Sequence, residues 1–170
     1  LNGPSGLAFD TSNNLFIVDH QNHRIQKFTN DGKVIDNWGT FGNQNGQFNL
    51  PWGITVDKED NVYVADWRND RIQKLSSRGK HITNIGTSGS KDGQLNRPSS
   101  VAVDFEGNIF VADWGNERVQ VFDPNGQFLL KLRGEATLSK WAQEFLDSNS
   151  DEATARANSN LEPKLNLLTN

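Results

Sequence analysis

A shift of 47 residues lays this chain on itself twice without a gap. Pro4, Pro51 and Pro98 coincide, as do Asp10, Asp57 and Asp104, and then Asn14, Asn61 and Asn108. The register continues through Asp19, Asp66, Asp113; Asn22, Asn69, Asn116; Arg24, Arg71, Arg118; Gln26, Gln73, Gln120; and Gly32, Gly79, Gly126. A chain patterned in this way folds by repetition, each unit burying its apolar surface against its neighbours.

Each unit reads as four short strands. The first covers Gly6–Asp10, Gly53–Asp57 or Ser100–Asp104, with a small central residue (Ala8, Thr55, Ala102) suited to a crowded inner position. The second, Leu15–Val18, Val62–Ala65 or Ile109–Ala112, is apolar at every position, the pattern of a strand covered on both faces. The third is Arg24–Phe28, Arg71–Leu75 or Arg118–Phe122. The fourth, around Val34–Trp38, His81–Ile85 and Phe128–Leu132, varies most and is expected to lie outermost. Asn13, Asp60 and Gly107 tolerate the left-handed backbone of a three-residue hairpin loop, and Gly32, Gly79 and Gly126 fill a similar place in the next turn. Between strands two and three runs Asp-x-x-Asn-x-Arg. Its Asp is expected to accept backbone N–H groups while its Arg returns to pair with it. Such pairing gives the recurrent Asp19, Asp66 and Asp113 a structural role rather than that of a carboxylate ring.

A four-stranded antiparallel sheet of this kind cannot cover both faces alone; arranged radially, each sheet covers the next. The expected fold is therefore all-β, a partial β-propeller of three four-stranded antiparallel blades. The run Pro51-Trp-Gly-Ile-Thr-Val-Asp57, then Asn61-Val-Tyr-Val-Ala-Asp66, then Asn69-Asp-Arg-Ile-Gln73 resembles the NHL repeat, over about residues 1–133. That resemblance implies a ring of about six blades. Blades are expected at about 1–47, 48–94 and 95–133. Three do not close a ring, and Leu1-Asn2-Gly3-Pro4 matches Phe48-Asn49-Leu50-Pro51, the end of one unit passing into the next. Further blades in a longer chain are the preferred reading; pairing of two chains into one ring is the alternative. The absence of Met, even at position 1, fits a processed chain or an excised segment.

After Leu132 the repeat fails. Leu138, Trp141, Ala142, Phe145 and Leu146 fall at helical spacing and predict a short α-helical tail within 134–170. Ser150 is placed to cap a second helix that the Pro of Leu161-Glu-Pro-Lys164 would end. The stripe is expected to pack on the propeller; docking of a partner protein is the alternative.

Charge and composition narrow the functions. The chain carries −4, of which residues 134–170, with six acids and three bases, hold −3. The near-neutral repeat region lacks the overall basic bias of a nucleic-acid binder. With no Cys, disulfides and thiolate metal sites are excluded, and the compartment stays undetermined. No apolar run reaches the roughly 18 residues of a membrane span.

In a propeller the loops joining strands two to three and four to one emerge on one face, around the channel mouth. That face should display His20-Gln-Asn-His23, Trp67-Arg-Asn-Asp70 and Trp114-Gly-Asn-Glu117, with Trp52 and Ser99 nearest the channel. Trp67 and Trp114 are equivalent by register, with His20 as counterpart, and such aromatics suit stacking on a ligand. The competing expectation is that each indole packs on the next blade's loop. Arg68 could add a cation. His20 and His23 would need a third ligand to hold a metal, and only His81, on an outer strand, remains. The resemblance allows zinc-dependent lyases, RNA binders and protein binders. The lyase pattern places His near the start of the inner strands, where this chain has Pro4-Ser5, Pro51-Trp52 and Pro98-Ser99. The residues thus assign no catalytic group, no metal and no cofactor. The expected function is a non-enzymatic binding or scaffold module for a protein or peptide, contacted by Trp52, Trp67, Arg68, Trp114, His20 and His23. The alternative is an enzyme, lyase- or hydrolase-like, completed by further blades.

Overall fold

The computed structural model describes residues 1–133 together with Ser148, Asn149 and Thr154. The helical stripe expected from Leu138 to Leu146 and the second helix after Ser150 lie outside the described residues.

The first sheet runs β1 (Pro4–Phe9), β2 (Leu15–Asp19), β3 (Arg24–Phe28) and β4 (Val34–Trp38). The second runs β5 (Pro51–Val56), β6 (Val62–Asp66), β7 (Arg71–Leu75) and β8 (His81–Ile85). A two-stranded parallel pair, β9 (Thr87–Ser88) and β10 (Gln94–Leu95), lies in the connection to the third sheet. The third sheet is β11 (Pro98–Val103), β12 (Ile109–Asp113), β13 (Arg118–Phe122) and β14 (Phe128–Leu132). Strand order in each four-stranded sheet follows the sequence, with antiparallel neighbours throughout. The chain is all-β over these three blades.

The first strand of each blade starts two residues earlier than the sequence reading placed it, and ends before its Asp. Proline opens a strand without loss because its missing N–H falls at the strand's first position. Asp10 leaves the strand because Oδ1 turns back to accept the N–H groups of Ser12 and Asn14, at 3.1 and 2.8 Å. Asn13, Asp60 and Gly107 all have positive φ in this turn, at 62°, 62° and 88°.

Two apolar seams join the blades. Phe16, Val18 and Ile25 of the first blade meet Phe48, Ile54, Val62, Val64 and Leu75 around the second. One repeat later, Tyr63, Ala65, Ile72 and Ile85 meet Leu95, Val101, Ile109, Val111 and Phe122. Strand pleat explains the division: Val62 and Val64 point back to the first sheet while Tyr63 and Ala65 point on to the third. β6 is consequently buried at every position, whereas Leu15 and Ile17 of β2 and Phe110 and Ala112 of β12 are only half-buried. The outward face of the first sheet keeps Leu7, Phe9 and Val34 exposed, and that of the third keeps Leu130 and Leu132 exposed.

The inner strands approach closely. A Cβ added at Gly53 would sit 2.7 Å from Ser100 Cα and from the Ser99 carbonyl oxygen. At Gly6 it would sit 2.7 Å from the Trp52 carbonyl oxygen. Only glycine permits this backbone contact where strands converge on the axis.

Candidate functional site

The loop between strands two and three is built from a buried carboxylate outward. Asp66 is fully buried. Its Oδ1 accepts the Asn49 backbone N–H at 2.8 Å, and Oδ2 accepts Asn69 Nδ2, Arg71 Nε and Gln73 Nε2 at 2.9, 2.9 and 3.0 Å. Arg71 Nη2 then donates to the carbonyls of Gln44 and Gln47, tying in the four-to-one connection. The same arrangement recurs at Asp19 with Asn2, Asn22, Arg24 and Gln26. It recurs again at Asp113 with Asn96, Asn116, Arg118 and Gln120. Burial pushes the Asp19 carboxyl pKa up, but the hydrogen bonds from Asn2, Asn22, Arg24 and Gln26 outweigh it and hold it well below the usual carboxylate range.

From this base each loop makes one turn of 3-10 helix, His20–Asn22, Trp67–Asn69 or Trp114–Asn116. A left-handed residue follows in each: His23, Asp70 or Glu117, with φ of 54°, 52° and 52°. The first residue of each turn is thereby carried out of the sheet by a backbone shared among all three blades.

Three rings form a continuous row. His20 meets Trp52 edge-on at 5.1 Å between centroids, and Trp52 meets Trp67 at 5.7 Å with a 57° tilt. His20 Nδ1 lies 2.8 Å from the Pro51 carbonyl oxygen, which can only accept; the proton therefore sits on Nδ1 and leaves Nε2 of the neutral ring an acceptor. The Ser5 hydroxyl donates to the Trp52 carbonyl at 2.8 Å. Trp52 remains 43 % exposed, so its ring is available beside a fixed backbone.

The register equivalence of Trp67 and Trp114 does not become a ring pair. Trp67 packs on Trp52 of its own blade, and Trp114 stands apart, 60 % exposed, with no ring contact among the described residues. The reason is substitution at one position: Ser99 occupies in the third blade the place Trp52 holds in the second. His23 also leaves the row. Its Nδ1 accepts the Leu50 N–H at 3.0 Å and its ring lies 5.0 Å from Phe41, inside the four-to-one connection. Arg68 stays exposed with its guanidinium carbon 5.4 Å from the Trp67 centroid.

Sequence reasoning missed Arg97, whose guanidinium carbon is also 5.4 Å from the Trp67 ring. Its backbone is left-handed, φ 52°, and Asp70 holds it there by accepting the Arg97 N–H at 2.8 Å. The available signal was the register itself, where Gly3, Leu50 and Arg97 align. Among the described residues no group of three or more His, Asp or Glu is placed to hold a metal ion. Among them also, no helix is long and apolar enough to cross a membrane.

Radial blades with a decorated loop face define this region as part of a β-propeller. Residues 1–91 match the model of the SMP-30/gluconolactonase/LRE-like region, more than half of the sequence, and the chain belongs to that family. Residues 95–122 match the NHL repeat, also a propeller unit. No curated protein matches the sequence. Among solved structures, a streptogramin B lyase aligns with a TM-score of 0.61 and 15 % identity, over 78 % of this chain and 41 % of its own. A catalytically inactive virginiamycin B lyase from Staphylococcus aureus, solved with quinupristin, aligns at 0.60 and 18 %, over 76 % and 41 %. Hydrazine synthase of Kuenenia stuttgartiensis aligns at 0.62 and 18 %, over 79 % and 36 %. These likenesses concern the fold. The chain spans about two fifths of the length of the two lyases it matches.

Proposed function

We propose that this chain is a non-enzymatic binding or scaffold module that uses the loop face of its propeller blades to hold a protein or peptide. The observation that carries the reading is the His20–Trp52–Trp67 row, three rings in contact on one rigid face with Trp52 still exposed. Aromatic rings offer large contact area with few torsions to immobilise, which suits them to recognising apolar side chains. Trp114, Arg68 and His23 are assigned to the same loop face as secondary contacts. The near-neutral blades favour this over a nucleic-acid strand.

The test is selection of a displayed random peptide library on the wild-type protein. Peptides enriched on it should lose at least about tenfold in affinity with Trp52→Ala and Trp67→Ala together, while thermal unfolding stays cooperative; hot-spot aromatics cost about this much or more. Binding unaffected by both changes would place the ligand elsewhere. Tight single-stranded nucleic-acid binding with a steep salt dependence would replace the peptide reading. Turnover of a lyase or esterase substrate that is lost with changes at the channel mouth would replace the scaffold reading.

Self-association is a second reading, favoured by the open faces. Leu7, Phe9 and Val34 stand in the register of residues that take the preceding blade, and Leu132 in the register of Ile85, which packs on the following one. A second copy could therefore extend the seam in both directions. Sedimentation velocity should show reversible, concentration-dependent dimers that Leu7→Glu with Phe9→Glu abolishes. A folded monomer at all concentrations would rule this out.

A further inference from the structure

Arginine occurs on this loop face in two different settings. Arg24, Arg71 and Arg118 are repeated, and each is paired with a buried Asp. Arg68 and Arg97 are not repeated: Gln21 and Gly115 align with the first, Gly3 and Leu50 with the second. Neither makes an ion pair among the described residues; what they share is the Trp67 ring, each 5.4 Å from its centroid. The fold does not need them, and both are exposed.

The backbone beneath Arg97 is strained. A residue with a Cβ at φ 52° costs about 1 kcal/mol relative to glycine, which this position carries at Gly3; Leu50 has the same φ, with His23 accepting its N–H. Asp70 offsets that cost, with Oδ1 on the Arg97 N–H and Oδ2 accepting the Ser88 hydroxyl at 2.6 Å. The carboxylate is thereby occupied in placing the Arg97 backbone, and no contact joins it to the guanidinium. The left-handed backbone is therefore a feature of the repeat, and what distinguishes Arg97 is an exposed guanidinium without an ion pair among the described residues.

We infer that Arg68 and Arg97, set on the Trp67 indole, form a carboxylate site that takes an Asp or Glu side chain of a bound peptide whose neighbouring apolar side chain packs on Trp52. This rests on the peptide-binding reading and specifies its ligand. Guanidinium forks match a carboxylate in plane and charge, and the indole face keeps each fork oriented. The chain's overall charge of −4 leaves this spot as a local exception, so the selectivity belongs to these two residues.

The experiment uses two peptides, acetyl-Phe-Glu-Phe-Glu-amide and acetyl-Phe-Gln-Phe-Gln-amide, titrated into 15N-labelled protein while the indole N–H signals are followed. The acidic peptide should bind about tenfold tighter at low salt, and the advantage should shrink severalfold at about 0.5 M salt as screening shortens to a few Å. Arg68→Gln with Arg97→Gly should abolish the preference; glycine is chosen because it accepts the left-handed backbone. Arg78→Gln with Lys80→Gln, removing the same charge from an exposed turn between β7 and β8, should leave it intact. Equal affinity for the two peptides, or a preference that survives the first double variant, overturns the inference and leaves the aromatic row standing. If neither peptide moves the Trp52 and Trp67 indole signals in the wild type, the peptide-binding reading fails and this inference with it.

Discussion

Asp66 and Trp67 are neighbours in the chain and opposites in what they do. Asp66 is fully buried, makes four hydrogen bonds, and has identical counterparts one repeat away on either side. Trp67 lies on the loop surface, with a histidine in its place in the first blade. The same contrast separates Arg71 from Arg68. The clamp, which every blade needs in the same geometry, repeats without change, whereas the exposed loop positions of Arg68 and Arg97 change on an unchanged backbone.

The comparison breaks first at the carboxylate. Asp66→Ala leaves Arg71 partly buried without its counter-charge and strands the Asn49, Asn69 and Gln73 donors. A loss of about 3–5 kcal/mol is expected, measured by urea unfolding. If this variant unfolds near the wild-type midpoint, the clamp is not what holds the loop. Gly53→Ala is next, at about 2 kcal/mol, because the added methyl meets backbone at 2.7 Å rather than a side chain that can turn away. Its midpoint should fall without a change in the slope of unfolding with denaturant.

Acid should act through Asp10 and Asp19. Burial raises the Asp10 pKa, but hydrogen bonds from Asn14 and the Lys27 ammonium lower it further, and Asp19 is lowered likewise. A depressed folded pKa contributes stability that is complete above the unfolded value of about 3.9 and is lost as pH falls through the folded one. The urea midpoint should therefore hold from pH 7 to about 5 and drop below about 4. Asp19→Asn should be less stable at neutral pH and flatter in acid. A midpoint independent of pH down to 2.5 would contradict the carboxylate account.

The site residues should register little in stability. Trp52→Ala should cost about 1 kcal/mol, since its ring is nearly half exposed, while removing the centre of the aromatic row. Arg97→Gly should be the smallest effect, within about 0.5 kcal/mol of wild type, because relief of the left-handed strain offsets the flexibility gained by the unfolded chain. Loss of stability here comparable to Asp66→Ala would erase the distinction between the two classes.

The strands, turns and clamp were legible in the sequence because each rests on local chemistry repeated three times. The third and fourth strands of all three blades fall where the spacing puts them. The one-turn helices were not legible, since three residues carry no periodicity. Nor were the short parallel pair at Thr87–Ser88 and Gln94–Leu95, which depends on the loop's closure against Gln120. At the candidate site the sequence put His20, Trp52 and Trp67 on one face, and their rings are in contact there. It could not show that Trp67 meets Trp52 rather than Trp114, because that contact joins a loop to the inner strand of its own blade. Arg97 escaped because its side chain reaches back across the junction from the following blade.

The clamp also has a consequence for how such a chain can grow. Each carboxylate grips a backbone N–H seventeen residues before it: Asn2 by Asp19, Asn49 by Asp66 and Asn96 by Asp113. The grip joins a blade to the linker that leads into it and never reaches back past that linker. Copying or deleting a stretch of 47 residues, cut at any phase of the repeat, therefore restores one complete staple per blade. A change of length between donor and acid instead leaves a buried carboxylate facing the wrong donors, whereas the turn between the third and fourth strands lies outside that span and is free to lengthen.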